Sequence, residues 1–261
     1  VRAEYLYIGT VKAASVPNGG KFLALVGSRF AYETTGEDNQ EIIGGRYQVD
    51  ATTGLYKIHS STSEVVGNRE LKFIGGLNNT FHIKDLTLSF LLDFRIGGDV
   101  YNGTEYYMVS NGLSKRTLEN GREYVTVTGV DSKTGADINQ TYYADQSYDI
   151  NGVTYSGKAM IKKYWDNYCS NSYNFITSVN WLKLRSLSVS YDFTKLIKRQ
   201  NVIKRLSVTA TGTNLFTWTN YKGMDPEVST AGGTGGSGAT GIDYCSVPST
   251  SSFSFGVNLT F

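Results

Sequence analysis

Proline is the first shortage: the 261 residues hold only three. Proline cannot donate to a β-ladder, so its scarcity leaves long strands open to this chain. Cysteine is scarcer still, with Cys169 and Cys245 alone and no CxxC spacing, so a thiolate metal site has no support. No apolar run approaches the roughly 18 residues of a membrane-spanning helix. Neither sign of charge dominates. Twenty-five basic and 23 acidic residues leave a net charge of +2, which removes the electrostatic case for nucleic acid. The sequence opens at Val1 without a basic region followed by an apolar one, and it reads as mature, trimmed or a fragment.

What is plentiful is glycine (29), tyrosine (19) and phenylalanine (12), the composition of long strands and turns. The last ten residues alternate without a fault. Phe253, Phe255, Val257, Leu259 and Phe261 share one face, and Ser252, Ser254, Gly256, Asn258 and Thr260 share the other. A soluble sandwich can carry that pattern, but a strand between lipid and a watery lumen must. At about 3.3 Å per residue and a tilt of about 40°, ten residues rise about 25 Å, the height of an outer-membrane apolar band.

The pattern recurs. Phe73, Gly75, Leu77, Asn79, Phe81 and Ile83 share a face, and Lys84-Asp85 makes a tight turn. Leu86, Leu88, Phe90, Leu92, Phe94 and Ile96 then form an apolar row, opposite Thr87, Ser89, Leu91, Asp93, Arg95 and Gly97. Trp181 to Phe193 is a further long strand whose phase slips at Arg185-Ser186, as a β-bulge would make it. Alternation resumes from Leu206 to Trp218. Such lengths exceed the five or six residues of an ordinary soluble strand.

Residues 1–70 are less periodic. Phe22 to Tyr32 and Ile42 to Val49 have strand composition, and Asp50 to Gly54 reads as a turn. Residues 98–177 form a long polar, tyrosine-rich stretch with a short strand at Glu123 to Val130. Together with 219–250 it makes two very long connections, against the short turns at Lys84-Asp85 and 194–204. Short turns at one end and long loops at the other are the asymmetry of outer-membrane barrels.

These segments resemble a family. Asn180-Trp-Leu-Lys-Leu-Arg-Ser-Leu-Ser-Val-Ser-Tyr191 and Thr213-Asn-Leu-Phe-Thr-Trp-Thr-Asn-Tyr-Lys-Gly-Met-Asp-Pro-Glu-Val228 are similar to strings of the SusC/RagA-like TonB-dependent outer-membrane transporters of Bacteroidetes. Phe73 to Phe81 and Leu88 to Asn102 resemble a hairpin of the same family. The resemblance implies an all-β fold: about five to seven strands, with long extracellular loops, from the C-terminal segment of an antiparallel transmembrane β-barrel. It implies a larger plugged barrel, of which residues 1–261 are one part, with the plug and the N-terminal barrel half absent. It implies a multi-pass protein of a Gram-negative outer membrane, in contact with lipid and lipopolysaccharide. The partners implied are the rest of the barrel and plug, TonB and a SusD-like surface lipoprotein. The function implied is import of oligosaccharides or peptides, with no enzymatic activity and no cofactor. A structural subunit of a larger outer-membrane assembly or secretion complex is the alternative, and a soluble β-sandwich adhesin or lectin the third reading. The terminal row Phe253, Phe255, Val257, Leu259 and Phe261 resembles the signal read by the barrel-assembly machinery.

Individual residues then sort by chemistry. Tyr106, Tyr107, Trp165 and Tyr168 are the candidates for ligand or lid contact, since such rings stack on sugars or peptides and keep a polar handle. Trp181 and Trp218 suit an interfacial girdle. Asp93 and Arg95, two apart on the polar row, are expected to face the lumen as a hydrated pair, and His82 to face it too. Asp225 and Glu227 flank Pro226 and read as a turn, because no nucleophile or positioned histidine accompanies them. The Gly-rich run 232–241 lacks the GKS/T ending of a phosphate loop and reads as a surface loop. Cys169 and Cys245 sit in loop-like surroundings, where one disulfide and two free thiols both fit.

Overall fold

The computed structural model describes residues 5–7, 15–17, 23–35, 40–61, 64–197, 202–227 and 241–261. They fall into two compact units. The wall unit draws on the described residues of Glu70–Gly98, Ser178–Val228 and Ser246–Phe261. The loop unit draws on those of Val1–Arg69, Asp99–Thr177 and Ser229–Cys245.

The wall is a meander of five strands: β1 (Phe73–Ile83), β2 (Leu86–Ile96), β3 (Trp181–Asp192), β4 (Arg205–Thr219) and β5 (Ser252–Thr260). Their order in the sheet is β5-β4-β3-β2-β1, every pair antiparallel. The expected hairpin turn is there, with Lys84 in the left-handed region at φ 56°. The slip expected at Arg185-Ser186 is also there, as a register shift against both neighbouring strands. On the β4 side it coincides with Asn214, whose φ is 50°.

Alternation turns this ladder into two unlike faces. One cross-sheet row runs Phe81, Leu88, Val189, Ala210, Phe255, and the next runs Ile83, Leu86, Tyr191, Val208, Val257. Gly75 belongs to this face, and a Cβ there would come within 2.9 Å of Phe94, so glycine leaves room for Phe73 and Phe94 to stack at 5.5 Å. The opposite face carries hydroxyl pairs across neighbouring strands: Thr80–Ser89 at 3.0 Å, Ser188–Thr211 and Ser190–Thr209 at 2.9 Å, and Thr213–Ser252 at 2.7 Å. Such cross-strand pairs stabilise a sheet by roughly 0.2–1 kcal/mol each. The apolar face stays open. Phe253 and Phe255 are 71% and 81% exposed.

The loop unit is built in the opposite way, around a dry centre. Its main sheet has the order Asp137–Tyr143, Tyr124–Asp131, Gln48–Asp50, Leu55–Tyr56. Tyr124–Asp131 pairs antiparallel with the first of these and parallel with Gln48–Asp50. Val49, Leu55, Val125, Val127, Tyr142, Met160 and Ile161 form its core. Asp50 to Gly54 is the expected turn, closed by Gly54 N–H donating to the Asp50 carbonyl at 2.8 Å.

Two helices, α1 (Gly103–Ser110) and α2 (Gly157–Cys169), stand in the long polar stretch, where only a short strand was expected. Each has a side-chain N-cap: Asn102 Oδ1 accepts from Glu105 N–H, and Ser156 Oγ from Ala159 N–H. α2 buries Met160 and Ile161 in the core. The all-β expectation therefore holds for the wall, and the loop unit adds these two helices to a largely stranded frame. The Gly-rich run up to residue 240 lies outside the described residues.

Candidate functional site

The polar face of the wall carries a charge network. Trp181, Lys183 and, through the bulge, Arg185 come from β3, and Asp93 from β2. After β4 the chain folds back so that Asp225 and Glu227 meet these cations. Lys183 Nζ donates to Asp225 Oδ1 and to Glu227 Oε2, both at 2.7 Å. Arg185 bridges Asp93 at 2.8 Å and Glu227. Ser249 closes the group by donating its N–H to Asp225 Oδ2 at 3.0 Å. Lys183 is 2% exposed and Asp225 6%. Both charges are therefore desolvated, and each makes the other tolerable. Burial pushes the Asp225 carboxyl upward, but hydrogen bonds from Lys183, Ser249 and the Glu227 N–H outweigh it and hold the group well below the usual carboxylate range.

Three expectations change here. Asp93 and Arg95 both lie on the polar face, yet they do not pair. Asp93 binds Arg185, and Arg95 donates to the carbonyls of Gly97 and Gly98 at 3.0 and 3.1 Å. The bulge explains this, because it brings Arg185 to Asp93. Trp181 is no girdle residue: it is 6% exposed and shares the polar face, with Lys183 and Arg185 over its ring at 5.8 and 5.5 Å. Trp218 lies on the apolar face and is 56% exposed. Asp225 and Glu227 form the expected turn, with Glu227 N–H donating to Asp225 Oδ1 at 3.0 Å, but they also anchor the returning segment. The signal for this was in the strand: Trp181 and Lys183 fall two apart in a row that β3 continues with Ser186, Ser188, Ser190 and Asp192. His82 lies on the polar face and bonds Thr87 at 3.0 Å.

The loop unit brings the four aromatic candidates onto two helices. Tyr106 and Tyr107 are on α1, Trp165 and Tyr168 on α2. Phe175 joins the helices, with ring centroids 5.5 Å from Tyr106 and 5.9 Å from Tyr168. Trp165 meets Tyr168 at 5.4 Å, and Tyr107 meets Tyr244, hydroxyl to hydroxyl. Tyr106 and Tyr168 are half-buried in this packing. Trp165 is half-buried too, and it lines a cavity of about 650 Å³ with Arg122, Lys158, Lys162, Asp166 and Ile161.

Cys169 and Cys245 are both free thiols in this structure. Cys169 ends α2 and approaches the Tyr106 carbonyl at 4.0 Å, and Cys245 is exposed. Burial, with Asp166 and Glu105 nearby, pushes the Cys169 thiol up to about 11. No cluster of three or more metal-ligating side chains occurs among the described residues.

A two-faced antiparallel wall of long strands is the pattern of an outer-membrane barrel sheet. No family model matches the chain. TonB-dependent receptor P26 of Formosa agariphila is 25% identical over 260 residues, 95% of this chain and 23% of the receptor. TonB-dependent receptor P39 of the same organism is 24% identical over 85% of this chain and 19% of the receptor. The chain thus spans less than a quarter of the curated relatives it matches. Among solved structures, the RagAB peptide importer in its open-open state covers 98% of this chain with a TM-score of 0.55 at 16% identity, and 24% of that chain is matched. The RagAB peptide transporter covers 99% with a TM-score of 0.54 at 15% identity, with 25% of that chain matched. The chain is similar in sequence to these TonB-dependent receptors of a Bacteroidetes and in fold to RagAB.

Proposed function

We propose that this chain supplies wall strands and outer loops to a TonB-dependent outer-membrane importer of oligosaccharides or peptides, working with a SusD-like surface lipoprotein. The observation that carries the reading is the wall. A face of exposed Phe, Leu, Val and Ile opposes a face of hydroxyls and paired charges. Water disfavours so large an open apolar patch, whereas lipid is a solvent in which it is stable. The hydroxyl face, with Asp93, Arg95 and the Lys183 network, is then the lumen side.

The sheet has two outer edges among the described residues, β1 and β5. Unpaired backbone groups cannot face hydrocarbon, so further strands of the same barrel complete them. The row from Phe253 to Phe261 serves barrel assembly as well as lipid contact. The curated relatives' name, TonB-dependent receptor, supports the energy source, and the RagAB importer supports a transport role.

The test is uptake by cells that express the full-length protein, with and without TonB. Uptake of a labelled oligosaccharide or peptide that requires both the protein and TonB is the expected result. Unchanged uptake without TonB refutes the reading. Co-purification with secretion or assembly subunits and no SusD-like lipoprotein would favour the structural alternative.

A further inference from the structure

We propose that the cavity between the end of α1 and the face of α2 binds an acidic oligosaccharide, with a sugar ring against Trp165 and its acid groups on Arg122 and Lys158. This deepens the importer reading by naming a ligand class, but the binding itself needs neither TonB nor a partner. At about 650 Å³ the cavity falls within the range of small-ligand sites and can hold two or three sugar rings.

Its charge is one-sided. Arg122, Lys158 and Lys162 face one carboxylate, Asp166, and Lys162 already pairs with that at 2.7 Å. Arg122 and Lys158 have no carboxylate partner among the described residues. Arg122 is also held in place. Its φ is 64°, in the left-handed region, and its guanidinium donates to the carbonyls of Gly112 and Thr117. A cation fixed in that way from a backbone conformation L-residues rarely adopt is pre-organised for an anion.

Trp165 supplies the other half. It is set by steeply inclined contacts with Tyr164 and Tyr168, at 5.2 and 5.4 Å, and lines the cavity. An indole beside an exposed amide, here Asn111, suits a ring with an apolar face and polar edge. A peptide is the poorer fit. Extended peptides commonly bind by adding to a sheet edge, and the walls of this cavity come largely from helical turns.

The test is isothermal titration of the full-length protein in detergent with trigalacturonate, neutral galactotriose and tetraglutamate. Trigalacturonate should bind at least tenfold more tightly than either other probe, and raised salt should weaken it. Trp165→Ala should cost about tenfold, Trp165→Phe much less, and the exposed Lys158→Glu about tenfold without disturbing the fold. Equal binding of galactotriose removes the charge argument, equal or tighter binding of tetraglutamate removes the sugar, and no millimolar binding of trigalacturonate removes the site. Each of these overturns the proposal, and none of them touches TonB-dependent uptake of another ligand.

Discussion

The wall and the loop unit solve opposite problems with the same residue types. In the loop unit, apolar side chains converge: Val127 and Met160 have no exposed surface, and tyrosines pack edge to face around Phe175. In the wall they diverge. Phe255 and Val257 are 81% and 64% exposed, and the buried side chains include Lys183 and Asp225 instead. An inside-out distribution of this kind is what a lipid solvent selects, and a conventional core is what water selects. The lesson is that burial alone misleads in such a chain, because the meaning of exposure changes from one unit to the other.

The largest effect expected from breaking this contrast is at the buried ion pair. Lys183→Met leaves Asp225 charged and uncompensated, so it should cost about 3–5 kcal/mol. Limited proteolysis of the detergent-extracted protein should then cut within 220–227 much faster than in the parent. The next effect separates the two faces. Phe255→Arg should destabilise the protein in lipid by about 2–4 kcal/mol, and Ser254→Arg by far less, both read from urea unfolding in vesicles. A comparable loss belongs to the loop unit: Met160→Ala should cost about 2–5 kcal/mol there and leave the protection of the wall amides unchanged in hydrogen exchange.

Acid should act weakly on the Lys183–Asp225 anchor. The folded Asp225 lies below its ordinary range, so its contribution is complete above the unfolded carboxylate value near 4 and is lost only as pH falls through the lower folded value. Protection of 220–227 should therefore hold from pH 8 to pH 5. The smallest effect concerns the thiols. Cys245 should react quickly with a water-soluble maleimide and Cys169 slowly, because burial suppresses its thiolate.

The wall was legible in the sequence because its period is two and its rows are long. Five strands, the Lys84-Asp85 turn and the slip at Arg185 all follow from alternation. The loop unit was far less legible. α2 puts Met160, Ile161 and Tyr164 on one side amid three lysines, Asp166 and Asn167, too weak an apolar stripe to stand out. α1 spreads Tyr106, Tyr107, Met108 and Val109 along consecutive positions, with no stripe. The partners of Asp225 and Glu227 were out of reach for another reason. They lie about forty residues away, and only tertiary folding brings Lys183 and Arg185 to them. The aromatic candidates divided likewise: tyrosine content marked the region, but only packing shows that, of the half-buried Tyr106, Trp165 and Tyr168, Trp165 alone borders the cavity.

The central claim is that the wall's two faces meet different solvents. Spin labels placed singly at residues 252 to 259, in the full-length protein reconstituted into vesicles, test it directly. Collision with oxygen, which concentrates in lipid, and with a water-soluble nickel chelate should alternate along the strand. Positions 253, 255, 257 and 259 should favour oxygen, and positions 252, 254, 256 and 258 the chelate. Uniform chelate access at all eight positions would contradict the account.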